Sequence, residues 1–215
     1  MSGNAGSRVD GAAKGAGGSK GGIWTPANVV TVARIVLVPL WLLAAELAGA
    51  GAEGAPSGPA LAVFAFFVVL SLTDKLDGYL ARSRHEVTTF GKFLDPIADK
   101  LVVVVALCYL LEAGSVSSWV LLVVVAREFL VSGLRMVVAS RGVVVAASNL
   151  GKWKTATTMV SISAILLARG LVGAPATFFW WFGQLLLVAA VVLTGWSGVD
   201  YFVRCRRYVT DVEEA

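Results

Sequence analysis

Six apolar runs, roughly Val29 to Leu47, Pro59 to Thr73, Ile97 to Leu111, Trp119 to Val138, Thr155 to Val172 and Phe178 to Val203, occupy most of the 215 residues. A run of about 20 apolar residues crosses the hydrocarbon core of a bilayer as a helix. Only 15% of the residues are charged and 57% are hydrophobic, whereas a soluble domain carries about a quarter charged residues. Little sequence is left for a second, water-soluble domain. The expected fold is therefore all-α, a polytopic integral membrane protein with six transmembrane helices in the lipid bilayer. A coiled coil, a wholly disordered chain and an ordinary cytosolic enzyme are excluded. The second and third runs reach spanning length only with their polar flanks, so these helices should carry polar groups into the membrane.

Residues 1–22 contain eight Gly with scattered Ser, Ala and Lys and no apolar period. Such a segment cannot bury enough surface to offset its ordering entropy. The expected organisation is a disordered Gly-rich cytoplasmic tail over 1–22, a six-helix membrane domain over 23–204 and a cytoplasmic C-terminal tail over 205–215. Arg34 inside the first run argues against a cleaved signal peptide.

The positions of the charges predict orientation. With the N-terminal tail inside, six spans place 17 of the 18 Lys and Arg residues on or toward the inner side, leaving Arg169 at an outer end. Glu46, Glu53 and Glu112 fall in the outer loops. This bias puts both termini in the cytoplasm, in a multi-pass protein of the cell (inner) membrane. It also accounts for the net charge of +4, so nucleic acid is not an expected partner. Cys108 reads as core filler, and two cysteines with the single His85 support neither a disulfide framework nor a zinc site. Trp180, Trp181 and Trp196 read as interface-belt or packing aromatics.

The stretch from Ser71 to Lys100 holds acids where a membrane helix should have none. Asp74 and Asp77 are separated by about 60° around a helix, Asp95 and Asp99 by about 40°. Each pair presents two carboxylates to one face, and two antiparallel neighbours bring all four to one depth, roughly 6 to 12 Å below the inner surface. Four clustered anions stay ionised only if cations balance them. Lys75 and Arg82 can supply part of that charge, and divalent cations supply it better. All-oxygen ligands favour Mg²⁺, Mn²⁺ or Ca²⁺. Gly78 and Ala81 lie within about 40° of Asp74, forming a smooth strip on which a phosphate or nucleotide can approach the backbone.

The pattern Asp74-x-x-Asp77-Gly78-x-x-Ala81-Arg82, followed by Gly91-x-x-x-Asp95-x-x-x-Asp99, fixes eight positions over 26 residues. It resembles the signature of the CDP-alcohol phosphotransferase family. Further segments resemble that family's phosphatidylglycerophosphate synthase branch: the stretch from Thr25 to Arg34, Phe93 to Lys100, Ala126-Arg127-Glu128 with Leu134-Arg135, Gly151 to Thr155, and Leu193 to Ser197. Together they cover about residues 24 to 204. The resemblance implies a six-helix membrane enzyme, usually a homodimer, that moves a phosphatidyl group from CDP-diacylglycerol to an acceptor hydroxyl and releases CMP. It implies two divalent ions, Mg²⁺ or Mn²⁺, held by Asp74, Asp77, Asp95 and Asp99. Asn28, Gly78, Arg82 and Thr88 carry over as contacts for CDP-diacylglycerol. Asp99 carries over as the catalytic base, although spacing alone leaves all four acids open for that role.

The charges of the fourth run bear on the acceptor. Arg127, Glu128 and Arg135 lie within about 100° of one another on a helix, and a mid-membrane Arg without a role is improbable. Arg127, Arg135 and Lys152, with Lys154 nearby, make a cation cluster suited to a dianionic phosphate, which fits glycerol 3-phosphate. Within the family, a phosphatidylinositol phosphate synthase or a cardiolipin synthase is the alternative. A divalent-cation transporter would also need intramembrane acids, but not Gly78, Ala81 and Arg82 at fixed offsets.

Overall fold

A computed structural model describes residues 25–49, 56–83, 89–140 and 149–210. Within them the chain forms six helices and no strand: α1 (Pro26–Ala48), α2 (Gly58–Ser83), α3 (Thr89–Glu112), α4 (Ser118–Ser140), α5 (Asn149–Gly170) and α6 (Gly173–Thr210). Each contains one of the six apolar runs, save that the fifth, Thr155 to Val172, ends two residues past α5. The helices outlast the runs because helix formation requires satisfied backbone bonds rather than apolar side chains. α2 thus continues through Asp74 and Asp77, and α3 begins before Asp95. The tail over 1–22 lies outside the described residues. At the other end, α6 continues to Thr210, past the expected helix-to-tail boundary at 204.

Among the described residues two segments, Asn28–Ala48 and Gly173–Cys205, are long and apolar enough to cross a membrane on length and composition alone, and Gly58–Thr73 is a shorter apolar stretch. Charged residues interrupt the apolar runs of α3, α4 and α5, and α1 carries Arg34 within its span. Large apolar side chains nevertheless cover the outside of the bundle, among them Leu47, Trp119, Phe129, Leu130 and Met136. An apolar surface this extensive marks contact with lipid or another protein.

α1 starts with Thr25 as its N-cap, accepting the Asn28 N–H at 3.3 Å, and with Pro26 in the first turn, where a missing N–H costs nothing. Its buried face is Thr31, Arg34, Val38, Trp41 and Ala45, alternating steps of three and four residues as a helix-to-helix seam requires. Trp41 ties three helices together. Its Nε1 donates to the Val63 carbonyl at 3.0 Å, and its ring lies 5.7 Å from Phe67 and 5.8 Å from Tyr109.

α6 has a matching stripe: Leu187, Ala190, Thr194, Ser197, Tyr201 and Cys205 are all buried. Against it α5 approaches closely. Ser161 Oγ donates to the Gly183 carbonyl at 2.9 Å, and a Cβ at Gly183 would sit 2.7 Å from Ile165 Cγ1. Small residues at such a contact let helix backbones approach. Cys108 does not take its expected place as core filler. Cys108 is exposed, and Cys205 is the buried one, packed with Val131, Val138 and Tyr201. Cys108 falls on the side of α3 away from the Leu107 and Leu110 core, which a uniformly apolar run does not reveal. Trp180 packs on the core, whereas Trp181 and Trp196 are exposed.

One end of the bundle is closed by ordinary polar fastenings. Ser57 N–H donates to the Gly170 carbonyl at 3.0 Å, Arg169 Nη1 to Ser115 Oγ at 3.1 Å, and Gln184 Nε2 to the Ser115 carbonyl at 2.8 Å. An apolar cavity of about 290 Å³ between α1 and α2, lined by residues such as Ala44, Leu47, Ala62 and Phe66, offers no group for chemistry. The charged residues gather elsewhere, where α1 and α5 begin and α2 and α4 end.

Candidate active site

Two charged clusters are built into the helix seams. In the first, Arg34 of α1 is 2% exposed, and its Nη1 donates to Asp99 Oδ1 of α3 at 3.1 Å. Asp99 itself is 48% exposed. Lys100, the next residue, donates to Ser132 Oγ of α4. Asn28 is buried in the first turn of α1, on the same helix as Arg34.

In the second, Glu128 of α4 accepts from Arg127 Nη1 at 3.0 Å and from Lys154 Nζ of α5. Arg127 Nη2 donates to Ser197 Oγ of α6 at 2.7 Å. A Cβ at Gly198 would lie 3.3 Å from Arg127 Cγ. Arg127, Glu128, Lys154 and Ser197 therefore join three helices through one charged seam. Arg127 Nε is buried without a hydrogen-bond partner among the described residues. Arg135 is exposed, two turns further along α4, with Nε donating to the Tyr201 hydroxyl at 3.4 Å and its guanidinium 5.8 Å from that ring.

The structure thus brings Asp99 together with Arg34, and Arg127 together with Glu128 and Lys154. Asp74, Asp77, Gly78 and Arg82 lie on the last turns of α2, Asp95 near the start of α3 and Lys152 in the first turn of α5. Their side chains, and the whole of Thr88, lie outside the described residues. Among the described residues no three acid, His or Cys side chains form a metal cluster; of the four aspartates only Asp99 is in that set. What is described fits a hard divalent cation in one respect: Asp99 is a half-exposed anionic oxygen donor on a helix in contact with α2.

Sequence patterning missed Arg34 as the partner of Asp99, although the signal was present. Arg34 occupies a seam position of α1 where its neighbours three before and four after, Thr31 and Val38, are buried. Lys154 was undervalued beside Lys152: as a residue at an inner helix end it resembles orientation charge, yet it is buried against Glu128. Ser197 and Tyr201 carry no charge pattern to mark them.

The helical bundle, its apolar exterior and its buried charged seams define a membrane protein with a polar site between helices. The CDP-alcohol phosphatidyltransferase family model matches residues 24–196, a span that contains both charged clusters, Ser197 alone falling just past its end. The chain is 43% identical over 183 residues to the CDP-diacylglycerol--glycerol-3-phosphate 3-phosphatidyltransferase of Bacillus subtilis, covering 81% of this chain and 92% of that protein. The enzymes of the same name from Rickettsia bellii and Haemophilus influenzae are 39% identical over 181 residues and 34% over 177 residues. Those alignments cover 84% and 80% of this chain and 95% and 88% of the relatives. This chain belongs to the CDP-alcohol phosphatidyltransferase family.

Proposed function

We propose that this protein transfers the phosphatidyl group of CDP-diacylglycerol to glycerol 3-phosphate, giving phosphatidylglycerophosphate and CMP. The observation that carries this reading is the set of relatives named for that reaction, aligned along 80% to 84% of the chain. The protein sits in the cell (inner) membrane with all six helices spanning and both termini in the cytoplasm. Helices of 22 to 38 residues support the spanning, since 22 residues already reach about 33 Å against a hydrocarbon core of about 30 Å, and the bias of Lys and Arg supports the orientation. The active site faces the cytoplasm, and the protein works as a homodimer.

CDP-diacylglycerol lies with its acyl chains in the inner leaflet and its pyrophosphate along Gly78 and Ala81, with Asn28, Arg82 and Thr88 as nucleotide contacts. Asp74, Asp77, Asp95 and Asp99 would hold two Mg²⁺ or Mn²⁺ ions. Bound there, the ions supply charge stabilisation at the pyrophosphate and the leaving CMP. Arg127, Arg135 and Lys152 receive the acceptor's phosphate. Arg127 is already fixed by Glu128 and Ser197, which supports a role in shaping that pocket. Asp99 takes the proton from the primary hydroxyl of glycerol 3-phosphate. The freed oxygen forms a bond to the lipid-side phosphorus, and the bond from that phosphorus to the bridging oxygen breaks, its electron pair leaving with CMP.

The test uses purified protein in lipid vesicles with both substrates. CMP release should require Mg²⁺ or Mn²⁺, stop with a chelator and nearly vanish in Asp99→Asn. Release by Asp99→Asn close to the unaltered rate would sink the assignment of the base.

A further inference from the structure

Arg34 poses a question that packing alone does not answer. It fills a seam position of α1 with 2% of its surface exposed, where Met or Leu would pack without the cost of a buried charge. Its Nη1 reaches Asp99 across the α1–α3 seam. One residue further on, about 100° around α3, Lys100 reaches Ser132 of α4. At this level α3 is therefore held from two directions by directional bonds. Beyond it α3 packs through Val102, Ala106, Leu107 and Leu110, whose apolar burial is non-directional, and its Tyr109 contact with Trp41 and Arg169 lies ten residues further along the helix.

We infer that Arg34 is a positioning residue that fixes the rotation of α3 and so the placement of the Asp99 carboxylate. This rests on the reading of Asp99 as a site residue. The lever is large. A carboxylate about 5 Å from the helix axis moves about 2.6 Å when the helix turns by about 30°, whereas metal–ligand distances tolerate about 0.2 Å. Asp95, one turn earlier and about 40° around the helix, moves with it.

The experiment compares full-length Arg34→Met, Arg34→Lys, Lys100→Met and Asp99→Asn with the unaltered protein in lipid nanodiscs. It measures Mn²⁺ binding by electron paramagnetic resonance without substrates, and CMP release separately. Removing a nearby cation by itself would tighten Mn²⁺ binding, because it removes repulsion. Loss of placement weakens it, by about tenfold or more for a residue that orients a ligand. Arg34→Met is expected to bind Mn²⁺ at least about tenfold more weakly and to lose CMP release by a similar factor or more, with Arg34→Lys recovering part of both. Lys100→Met, which frees the α4 side, should show the same weakening in milder form, and it keeps the test decisive if Arg34→Met does not fold. Unchanged or tighter Mn²⁺ binding in either Met variant overturns the inference. Asp99→Asn separates the two layers: if it is inactive while Arg34→Met behaves as unaltered protein, the positioning role alone fails. If Asp99→Asn stays active, the site reading fails with it.

Discussion

Glu128→Gln is the perturbation that most directly probes the charged seam. The side chains of Arg127, Glu128 and Lys154 are 13%, 19% and 9% exposed, so two cations from α4 and α5 share one counter-charge largely out of water. Gln keeps the shape and one accepting oxygen but removes the anion. Breaking a buried ion pair by deleting one partner costs about 3–5 kcal/mol, and the retained acceptor places this variant near the lower end. For a chain of this length each kcal/mol shifts the unfolding midpoint by about 2–4 °C, so a loss of about 6–12 °C is expected. Tryptophan fluorescence of the protein during heating in a mild detergent measures it. The double variant Glu128→Gln/Lys154→Met removes a cation with the anion and should recover at least half of the shift without recovering CMP release. A midpoint within about 2 °C of the unaltered protein for Glu128→Gln would refute the claim that this seam fastens α4, α5 and α6.

Two further outcomes follow from named contacts. Gly183→Ala forces a Cβ to within 2.7 Å of Ile165 Cγ1, and overpacking of this kind costs about 1–3 kcal/mol; thermal unfolding should show a clear drop in midpoint while the metal requirement is unchanged. Arg135→Gln leaves the Glu128 seam intact and removes an exposed guanidinium held by Tyr201. Steady-state kinetics should show a KM for glycerol 3-phosphate raised roughly tenfold or more, as expected for losing a charge-assisted bond of about 1.5–3 kcal/mol, with little change in the KM for CDP-diacylglycerol.

The helix count was legible in the sequence because apolar runs of spanning length admit few other folds, and the helices fall where those runs lie. Their ends were not, since Asp74 and Asp77 read as a break in hydropathy while the backbone of α2 passes straight through them. The spacing of the acids marked out a candidate site, because a fixed offset of carboxylates and glycine has little other use in an apolar chain; of the four, only the Asp99 side chain is among the described residues. What spacing could not disclose was pairing between distant helices. Arg34 and Asp99 lie 65 residues apart, and Lys154 meets Glu128 across 26. Such partners depend on how helices rotate against one another, as the exposure of Cys108 also shows. The heptad-like stripes of α1 and α6 hold that information once the buried face is known.

The central claim is the identity of the acceptor, and one measurement addresses it directly. The purified protein, in vesicles containing CDP-diacylglycerol and Mg²⁺, is given glycerol 3-phosphate, inositol 1-phosphate, phosphatidylglycerol and serine in competition, and the lipid products are weighed by mass spectrometry while CMP is counted. The account predicts phosphatidylglycerophosphate as the dominant product, formed in a one-to-one ratio with CMP. A dominant product from any other acceptor would contradict it.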